Sequence, residues 1–320
     1  MSISNLWRKH CISNLPLLVR AVGQVQRIQK KSESFWMDKI IVESPSKINL
    51  GLNIVRKRDD GYHDLETIFI PLLLSDKITF FKSNEFFFRT DSKLLNQLKD
   101  NLILKAIRLL EDFTDRKIVL DIVVEKAIPI GGGLGGGSSN AAITLKTVNK
   151  LFELGLSNQE LSKLALKLGS DVPYFLNPVP SYAESRGELL YPLNIEIPYP
   201  ILIVNPRIKI DTAWAFKKIE PVSPVKNLRH ILQKSLDDFD KLKSYVKNDF
   251  EELIFKQFPL LKQIKEDLYK EGAQFALMSG TGSTVYGIFS NLQKAYWAEE
   301  YFKQNYFTFL NNPFTKGSIT

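Results

Sequence analysis

The sequence contains too few cysteines and histidines to build a disulfide framework or a metal centre from them. Its 320 residues include one cysteine, Cys11, and three histidines, His10, His63 and His230. A single thiol cannot close a disulfide within the chain or supply a cysteine-based zinc site. Three histidines also do not favour a multi-histidine metal centre.

Long apolar runs are absent as well. No stretch approaches the ~20 apolar residues that a membrane-spanning helix requires, so we expect no membrane partner. The composition is otherwise ordinary, with 44% hydrophobic and 24% charged residues, which excludes a disordered, coiled-coil or collagen-like protein. At about 150 residues per domain, the length predicts two domains.

The formal net charge of +8 is concentrated at one end of the chain. Residues 1–36 carry +5, whereas all the residues that follow carry only +3. Because these later residues show no basic and aromatic stripe, we expect no nucleic-acid partner, and polynucleotide binding is kept only as an alternative hypothesis. The later residues still allow a local basic pocket for a phosphorylated ligand.

Residues 1–36 form an extension that is basic, poor in acidic residues and moderately rich in serine. Three interpretations are open for it. It is typical of an organellar transit peptide, of a disordered tail, or of a start-site artefact, because Met37 directly precedes the first strand-like run. We favour the artefact and then the tail. The expected compartment is the cytoplasm, or the plastid stroma if the extension is a transit peptide.

Hydrophobic periodicity predicts a mixture of strands and helices. Strands are expected at residues 40–45, 48–55, 66–74, 78–81, 85–88, 118–124 and 201–204. Helices are expected at residues 101–113, 139–152, 158–168, 226–233, 239–255 and 259–271. A charged turn over residues 56–61 ends in the Asp-Gly signal for a tight reversal. A proline-rich stretch indicates a boundary near residue 197, which gives domains over residues 37–197 and 198–320.

The most unusual segment is a glycine-rich loop, in which six of the seven residues from Gly131 to Gly137 are glycine. Glycine costs stability in a regular element, so such a run indicates backbone N–H groups that approach a polyanion at a helix N-terminus. The loop is not a P-loop, because it has no lysine before Ser139. A dinucleotide-binding loop is also disfavoured, because a second helix, and not a strand, follows the first. A flexible linker is the remaining alternative.

Three stretches together resemble the GHMP small-molecule kinases, the family named for galactokinase and the homoserine, mevalonate and phosphomevalonate kinases. They are SPSKINL (residues 44–50), PIGGGLGGGSSNAA (residues 129–142) and MSGTGST (residues 278–284), in the family's order. The resemblance implies an α+β fold of two domains. An N-terminal ribosomal-protein-like α/β domain binds ATP, a C-terminal α+β domain follows, and the cleft between them holds the substrate.

Two further stretches, DGYHDLET (residues 60–67) and LGSDVP (residues 168–173), resemble one branch of that family. The branch phosphorylates the 2-hydroxyl of cytidine diphosphate methylerythritol, a small molecule of the non-mevalonate isoprenoid pathway. The implied cofactors are ATP and Mg²⁺, and the enzyme is expected as a monomer or homodimer. A homoserine- or mevalonate-type kinase is the alternative, although a substrate without a nucleobase would not require the Gly-Tyr-His run.

The resemblance also implies the catalytic residues. Asp171 corresponds to the catalytic aspartate and Lys47 to its partner lysine. Phosphoryl transfer needs charge neutralisation and a carboxylate that takes the hydroxyl proton, so this pairing is chemically reasonable. The alternatives are that Asp171 caps a helix, since it precedes Val-Pro, and that Lys47 is a solvated strand residue.

Other residues are implied to bind the two substrates. Tyr62 stacks on cytosine, His63 reads its edge, and Phe216 or alternatively Trp214 covers the other face. The remaining substrate-binding residues are Asn49, Thr212, Gly280 and Gly282. The ATP-binding residues are Asn101, Lys126, Pro129, Gly131, Gly132, Gly133, Leu134, Gly135, Gly136, Gly137, Ser138 and Ser139. The metal ligands stay unassigned, and Ser138 or Ser139 is the expected protein contact of Mg²⁺. Asn101 and Lys126 are more easily explained as a helix cap and a surface lysine than as ATP-binding residues.

Overall fold

A computed structural model describes residues 39–98, 101–221, 228–229 and 238–314. The N-terminal extension lies outside the described residues, and so does the predicted helix 226–233 apart from residues 228 and 229. The described residues form an α+β fold with two sheets, as expected. Within those ranges, no helix is both long and apolar enough to cross a membrane.

The first sheet is built from the N-terminal half of the chain. Its strands are β1 (Lys39–Lys57), β2 (His63–Lys82), β3 (Phe87–Thr90), β4 (Leu120–Glu125), β5 (Ser181–Glu184) and β6 (Leu189–Pro192). They follow the order β3-β4-β2-β5-β6, with β1 paired to β2. The pairing of β3 with β4 is parallel and the other pairings are antiparallel.

Among the described residues, the helices beside this sheet are α1 (Lys93–Gln97), α2 (Leu102–Thr114), α3 (Gly136–Leu151) and α4 (Asn158–Leu168). Helix α4 begins with a capping box, in which Ser157 and Glu160 bond each other's backbone N–H, as its sequence favours. Helices α2, α3 and α4 bury their apolar faces in one core with β2 and β4. Because α3 packs in this core, the glycine-rich loop that leads into α3 is positioned relative to the sheet.

The second sheet is antiparallel and has the order β10-β7-β9-β8. Its strands are β7 (Ile201–Asn205), β8 (Phe275–Met278), β9 (Val285–Ile288) and β10 (Phe307–Asn311). The helices of this half are α5 (Thr212–Lys218), α6 (Phe239–Tyr245), α7 (Phe250–Gln257), α8 (Pro259–Lys270) and α9 (Leu292–Phe302). A shared core joins the two sheets, with Ile68 and Ile70 of β2 in the same cluster as Ile203 and Tyr286.

Several elements differ from the predicted boundaries. The two strands predicted over residues 40–55 are one strand, β1, with register irregularities near Pro45, Asn49 and Ile54. The helix predicted over residues 239–255 is interrupted between α6 and α7. There the backbone of Leu52 in β1 takes the hydrogen bonds that a continuous helix would make within itself. Leu52 N donates to Lys247 O, and Asp249 N donates to Leu52 O.

Candidate active site

Lys47 and Asp171 lie together, although they are distant in sequence. Lys47 is on β1 and its side chain is buried, and its Nζ is 3.3 Å from Asp171 Oδ2. The Asp171 side chain is 34% exposed, so the carboxylate is open to a ligand. The short turn that follows, Pro173–Leu176, has Val172 at its N-cap and no side-chain capping bond. The capping role considered for Asp171 therefore finds no support, and the solvated role considered for Lys47 is wrong.

Asn49 holds the lysine from the same strand. Lys47 Nζ donates to Asn49 Oδ1 at 2.6 Å, and Asn49 Nδ2 donates to Thr67 Oγ1 at 2.8 Å. Residues two apart on a strand share a face, which is why the sequence places these side chains together. Because Asn49 Oδ1 accepts a hydrogen bond from the ammonium of Lys47, the ammonium is held beside Asp171.

A serine of the third motif connects all three motifs. Asn49 N donates to Ser279 Oγ at 3.2 Å, and Ser279 Oγ donates to Gly133 O at 2.9 Å. Gly280 lies on the same side, because a Cβ built on it would be 3.4 Å from Asn49 Oδ1. The turn between β8 and β9 is thus both a hairpin connection and a wall against the glycine-rich loop. Gly282 in this turn packs on Met278 and Ile210 instead.

The glycines of the loop are required mainly by protein packing. A Cβ on Gly133 would lie 2.2 Å from Ser279 O, and one on Gly135 would lie 2.6 Å from the Phe175 ring. Gly131, Gly133 and Gly135 also have φ near +70°, a region that favours glycine. The expectation that anion binding alone explains the run is therefore incomplete, although the loop does lead into a helix N-terminus.

The other residues of the loop each contact a different part of the protein or are exposed. Gly132 approaches Asn205, Gly136 packs on Ile128, and Leu134 is buried and accepts Lys47 N at its carbonyl. Gly137 is exposed. Pro129 lies on the wall of a neighbouring cavity of about 750 Å³.

Helix α3 begins at Gly136, three residues earlier than predicted. Ser138 and Ser139 are consequently inside its first turn and neither is the N-cap, which is Gly135. Ser139 is fully buried and accepts a hydrogen bond from Ser44 at 2.8 Å. Ser138 is only half-buried. The two serines that the sequence left equivalent are thus different in their access to a ligand.

The Tyr62-His63 pair lies at the reversal between β1 and β2. The predicted turn is present, with Arg58 N donating to Tyr62 O at 2.8 Å and Gly61 at φ +84°. The Tyr62 side chain is 50% exposed. His63 is 4% exposed, and neither of its ring nitrogens has a hydrogen-bond partner among the described residues. A buried, unbonded imidazole is unusual and indicates a ligand that supplies the missing partners.

Phe216 lies next to this histidine. The two ring centroids are 5.7 Å apart, and Phe216 also packs edge-on against Phe250. Trp214 packs on the core of the second sheet and donates its backbone N–H to Asp211. Burial, together with the charge of Lys57, lowers the pKa of His63 below its ordinary value. The ring is therefore neutral at pH 7 and keeps one donor and one acceptor nitrogen.

The segment before Phe216 approaches the third motif. Thr212, the first residue of α5, has its Oγ1 3.1 Å from Thr281 Oγ1. Thr212 therefore contacts the β8–β9 turn, in which Gly280 faces Asn49.

Asn101 and Lys126 lie at the entrance to the glycine-rich loop. Asn101 is buried and caps α2 through Oδ1, while its Nδ2 has no partner among the described residues. Lys126 is not a surface lysine: its side chain is 6% exposed and its Nζ is 2.8 Å from Asp76 Oδ2. Burial lowers the pKa of Lys126, and the Asp76 carboxylate opposes that change.

Asp76 is a residue that the sequence reasoning missed. It is fully buried in β2, and its Oδ1 accepts the backbone N–H groups of Ala127 and Ile128. It therefore fixes the path of the chain into the loop. A single aspartate inside the apolar run LLLSDKITFF was the available signal, because a buried carboxylate requires partners. Ser44, the partner of Ser139, and Arg186, described below, were missed as well.

Comparison with known proteins identifies the family of this chain. The family model described as GHMP kinases N terminal domain matches residues 101–177, and the one described as GHMP kinases C terminal matches residues 225–307. The fold and the site thus define a small-molecule kinase of the GHMP class, for which ATP is the phosphoryl donor.

Individual relatives narrow the class. The chain is 39% identical over 255 residues to the 4-diphosphocytidyl-2-C-methyl-D-erythritol kinase of Bacteroides fragilis (strain YCH46), which covers 78% of this chain and 92% of the relative. A solved 4-(cytidine 5'-diphospho)-2C-methyl-D-erythritol kinase matches with a TM-score of 0.72 at 29% identity, over 85% of this chain and 98% of the other. A homoserine kinase from Cytophaga hutchinsonii has a TM-score of 0.63 at 15% identity, over 85% and 93% of the two chains, and so shares the fold alone. The chain belongs to the 4-diphosphocytidyl-2-C-methyl-D-erythritol kinase family.

Proposed function

We propose that this kinase phosphorylates the 2-hydroxyl of 4-diphosphocytidyl-2-C-methyl-D-erythritol with ATP. The observation that carries the proposal is His63, a buried imidazole with both nitrogens unbonded among the described residues, next to Phe216. A nucleobase supplies what this site lacks, namely an edge that bonds the imidazole and a face that stacks on an aromatic ring. Homoserine and mevalonate have no such group.

Base recognition divides among three side chains. Tyr62 is exposed and stacks on one face of cytosine, His63 bonds its edge, and Phe216 covers the other side. Phe216 is preferred to Trp214 because its ring lies 5.7 Å from His63. Thr212 and Gly280 border the substrate from the C-terminal half, whereas Gly282 faces Met278 and Ile210 and shapes the turn that carries Gly280.

The chemistry centres on Asp171 and Lys47. The 2-hydroxyl oxygen forms a bond to the γ-phosphorus of ATP, the bond from that phosphorus to the β-phosphate oxygen breaks, and ADP leaves. Asp171 accepts the hydroxyl proton. Lys47, 3.3 Å from the carboxylate, offsets the charge on the developing alkoxide, and Asn49 keeps the lysine in position. These are the positioning and electrostatic contributions that phosphoryl transfer requires.

ATP binds along the glycine-rich loop, with its phosphates at the N-terminus of α3 and its base toward Asn101 and Lys126. The helix start offers unbonded N–H groups and the positive end of the helix dipole. The buried Nδ2 of Asn101 is available to the adenine edge.

The residues present also fit a magnesium ion that is held chiefly by the nucleotide. Among the described residues there is no group of three or more His, Cys, Asp or Glu suited to hold a metal. The half-buried Ser138 offers one hydroxyl oxygen, a ligand that Mg²⁺ accepts, whereas Ser139 is committed to Ser44. When bound, Mg²⁺ neutralises phosphate charge.

The same proposal assigns the parts of the chain. Residues 37–197 form the ATP-binding domain and residues 198–320 the second domain, with the substrate cleft between them. The last strand of the first sheet ends at Pro192 and the first strand of the second begins at Ile201, which supports this boundary. We place the enzyme in the cytoplasm, as a monomer or homodimer that acts on a small molecule.

An assay of ADP release with ATP and a panel of alcohols tests the proposed function. The panel contains 4-diphosphocytidyl-2-C-methyl-D-erythritol, homoserine and mevalonate. We expect ADP release and a phosphorylated product with the cytidine compound and background rates with the other two. Faster phosphorylation of homoserine or mevalonate would overturn the proposal.

A further inference from the structure

We infer that Arg186 binds the diphosphate of the substrate and so acts as a specificity-determining residue for a nucleoside diphosphate ester. The inference rests on the proposed function, because it uses the assigned positions of the base and of the reacting hydroxyl. It starts from the guanidinium itself. The Cζ of Arg186 lies 3.7 Å from the centroid of the Tyr62 ring, and its Nη2 donates to Ser170 Oγ at 3.2 Å.

Arg186 therefore links the two ends of the proposed substrate site. Tyr62 belongs to the base-binding end, and Ser170 directly precedes the catalytic Asp171. The backbone is equally close to the reaction centre, since a Cβ built on Gly187 would lie 3.9 Å from Asp171 Oδ1. In the substrate, the diphosphate joins the cytidine to the alcohol that reacts. It must consequently pass between these two ends, where the guanidinium lies.

The turn that carries Arg186 is fixed to the base-binding strand. Leu65 N donates to Ser185 O at 2.7 Å, and Arg186 N donates to Glu188 Oε2 at 2.7 Å. Ser185 has φ +64°, a conformation that a non-glycine residue adopts at some cost. The backbone of the turn is thus held in a defined place before any ligand arrives, while Ser170 and Tyr62 contact the guanidinium.

Within the described part of the chain, the guanidinium of Arg186 has a donor without an acceptor. Its Nε is buried and has no hydrogen-bond partner among the described residues. Arg58, on the neighbouring reversal, differs because it forms ion pairs with Asp60 and Asp64, whereas Asp60 interacts with Arg186 only through the electrostatic attraction of their charges. An arginine fork with unused donors matches the geometry of phosphate oxygens. Because the Tyr62 side chain is 50% exposed, the proposal has the ring stack on the guanidinium with one face and on cytosine with the other.

The test compares ligands that differ only in the diphosphate. Binding of CDP and of cytidine is measured by calorimetry for the wild type, Arg186→Met, Arg186→Lys and the control Arg116→Met, an exposed arginine on the loop after α2. Loss of a charged hydrogen-bonding partner predicts at least a tenfold weaker affinity of Arg186→Met for CDP. Its affinity for cytidine should stay within twofold. Arg186→Lys should fall between, and Arg116→Met should match the wild type.

Kinetics complete the experiment and separate the two proposals. In Arg186→Met, KM for 4-diphosphocytidyl-2-C-methyl-D-erythritol should rise at least tenfold while KM for ATP stays within twofold. Equal losses for CDP and cytidine, or no loss for either, would overturn the role of Arg186 while the proposed function stands. If the wild type neither binds CDP nor phosphorylates the cytidine compound, the proposed function itself fails.

Discussion

At the scale of single residues, the site depends on a buried lysine that two neighbours hold in place. Lys47 is 4% exposed and is bound by Asn49 and paired with Asp171. Burying an ammonium is costly unless it is paired and hydrogen-bonded. The lysine thus has a structural reason to stay beside Asp171 even without substrate, so in the proposed mechanism it is in position before the substrate binds.

Replacing Asp171 by Asn tests its role as proton acceptor. The variant keeps the shape of the side chain but loses its charge and basicity, so kcat should fall by about 10²–10⁴. Coupled ADP release measures kcat, and nucleotide titration checks that ATP still binds. Thermal unfolding should show an intact fold. A kcat within threefold of the wild type would exclude Asp171 from the chemistry.

Replacing His63 by Ala tests recognition of cytosine. The variant leaves part of the base edge unbonded, so substrate binding should weaken by about 1–3 kcal/mol. This corresponds to a higher KM for the cytidine substrate, with KM for ATP nearly unchanged. Similar increases in both KM values would show that His63 supports the site as a whole and does not read the base.

The sequence predicted contacts between side chains correctly where the two residues are neighbours on one element. Lys47 and Asn49 are two apart on a strand, so a shared face follows directly from the sequence. The pairing with Asp171 came from family resemblance, because 124 residues of chain separate the two positions. Arg186 carried no such signal: a lone arginine in SRGE reads as a solvated turn, and only the tertiary structure brings it to Tyr62.

At the scale of elements, the glycine-rich loop is a joint between the two halves of the molecule. Its glycines let the backbone contact Ser279 of the β8–β9 turn and Phe175. The sequence predicted the loop and its position directly before a helix, while its role in binding phosphate stays a prediction. It did not predict that α3 begins at Gly136, because glycine disfavours helix interiors and the close packing of that residue on Ile128 is a tertiary contact.

Substituting alanine in this loop tests whether close packing requires its glycines. Gly133→Ala places a Cβ 2.2 Å from Ser279 O at a φ of +75°, so it should destabilise the fold by about 2 kcal/mol or more. Gly137→Ala is the matched control, because the nearest atom to its Cβ is Leu102 Cδ1 at 3.6 Å. Thermal unfolding measures both. A melting temperature for Gly133→Ala equal to that of the control would contradict the packing explanation.

At the scale of the whole molecule, the residues of the proposed active site come together because the two sheets share a core. Lys47 and His63 come from the first sheet, whereas Ser279 and Phe216 come from the C-terminal half. Local periodicity predicted most of the strands and helices, the length and the proline-rich stretch predicted two parts of the chain, and the family resemblance implied the α+β class that the structure shows. The sequence could not supply the strand order or the single long β1, because these depend on pairing between distant segments.

The last prediction concerns residues 1–36, whose charge sets them apart. The cores of the described structure and all the proposed site residues come from residue 40 onward, so deleting residues 1–36 should leave kcat, both KM values and the melting temperature nearly unchanged. Thermal unfolding and coupled ADP release on the full and shortened chains measure these quantities under one buffer condition. A melting temperature several degrees lower in the shortened chain would show that this segment packs on the rest of the protein, because removing it would then expose apolar surface and lose the associated stabilisation.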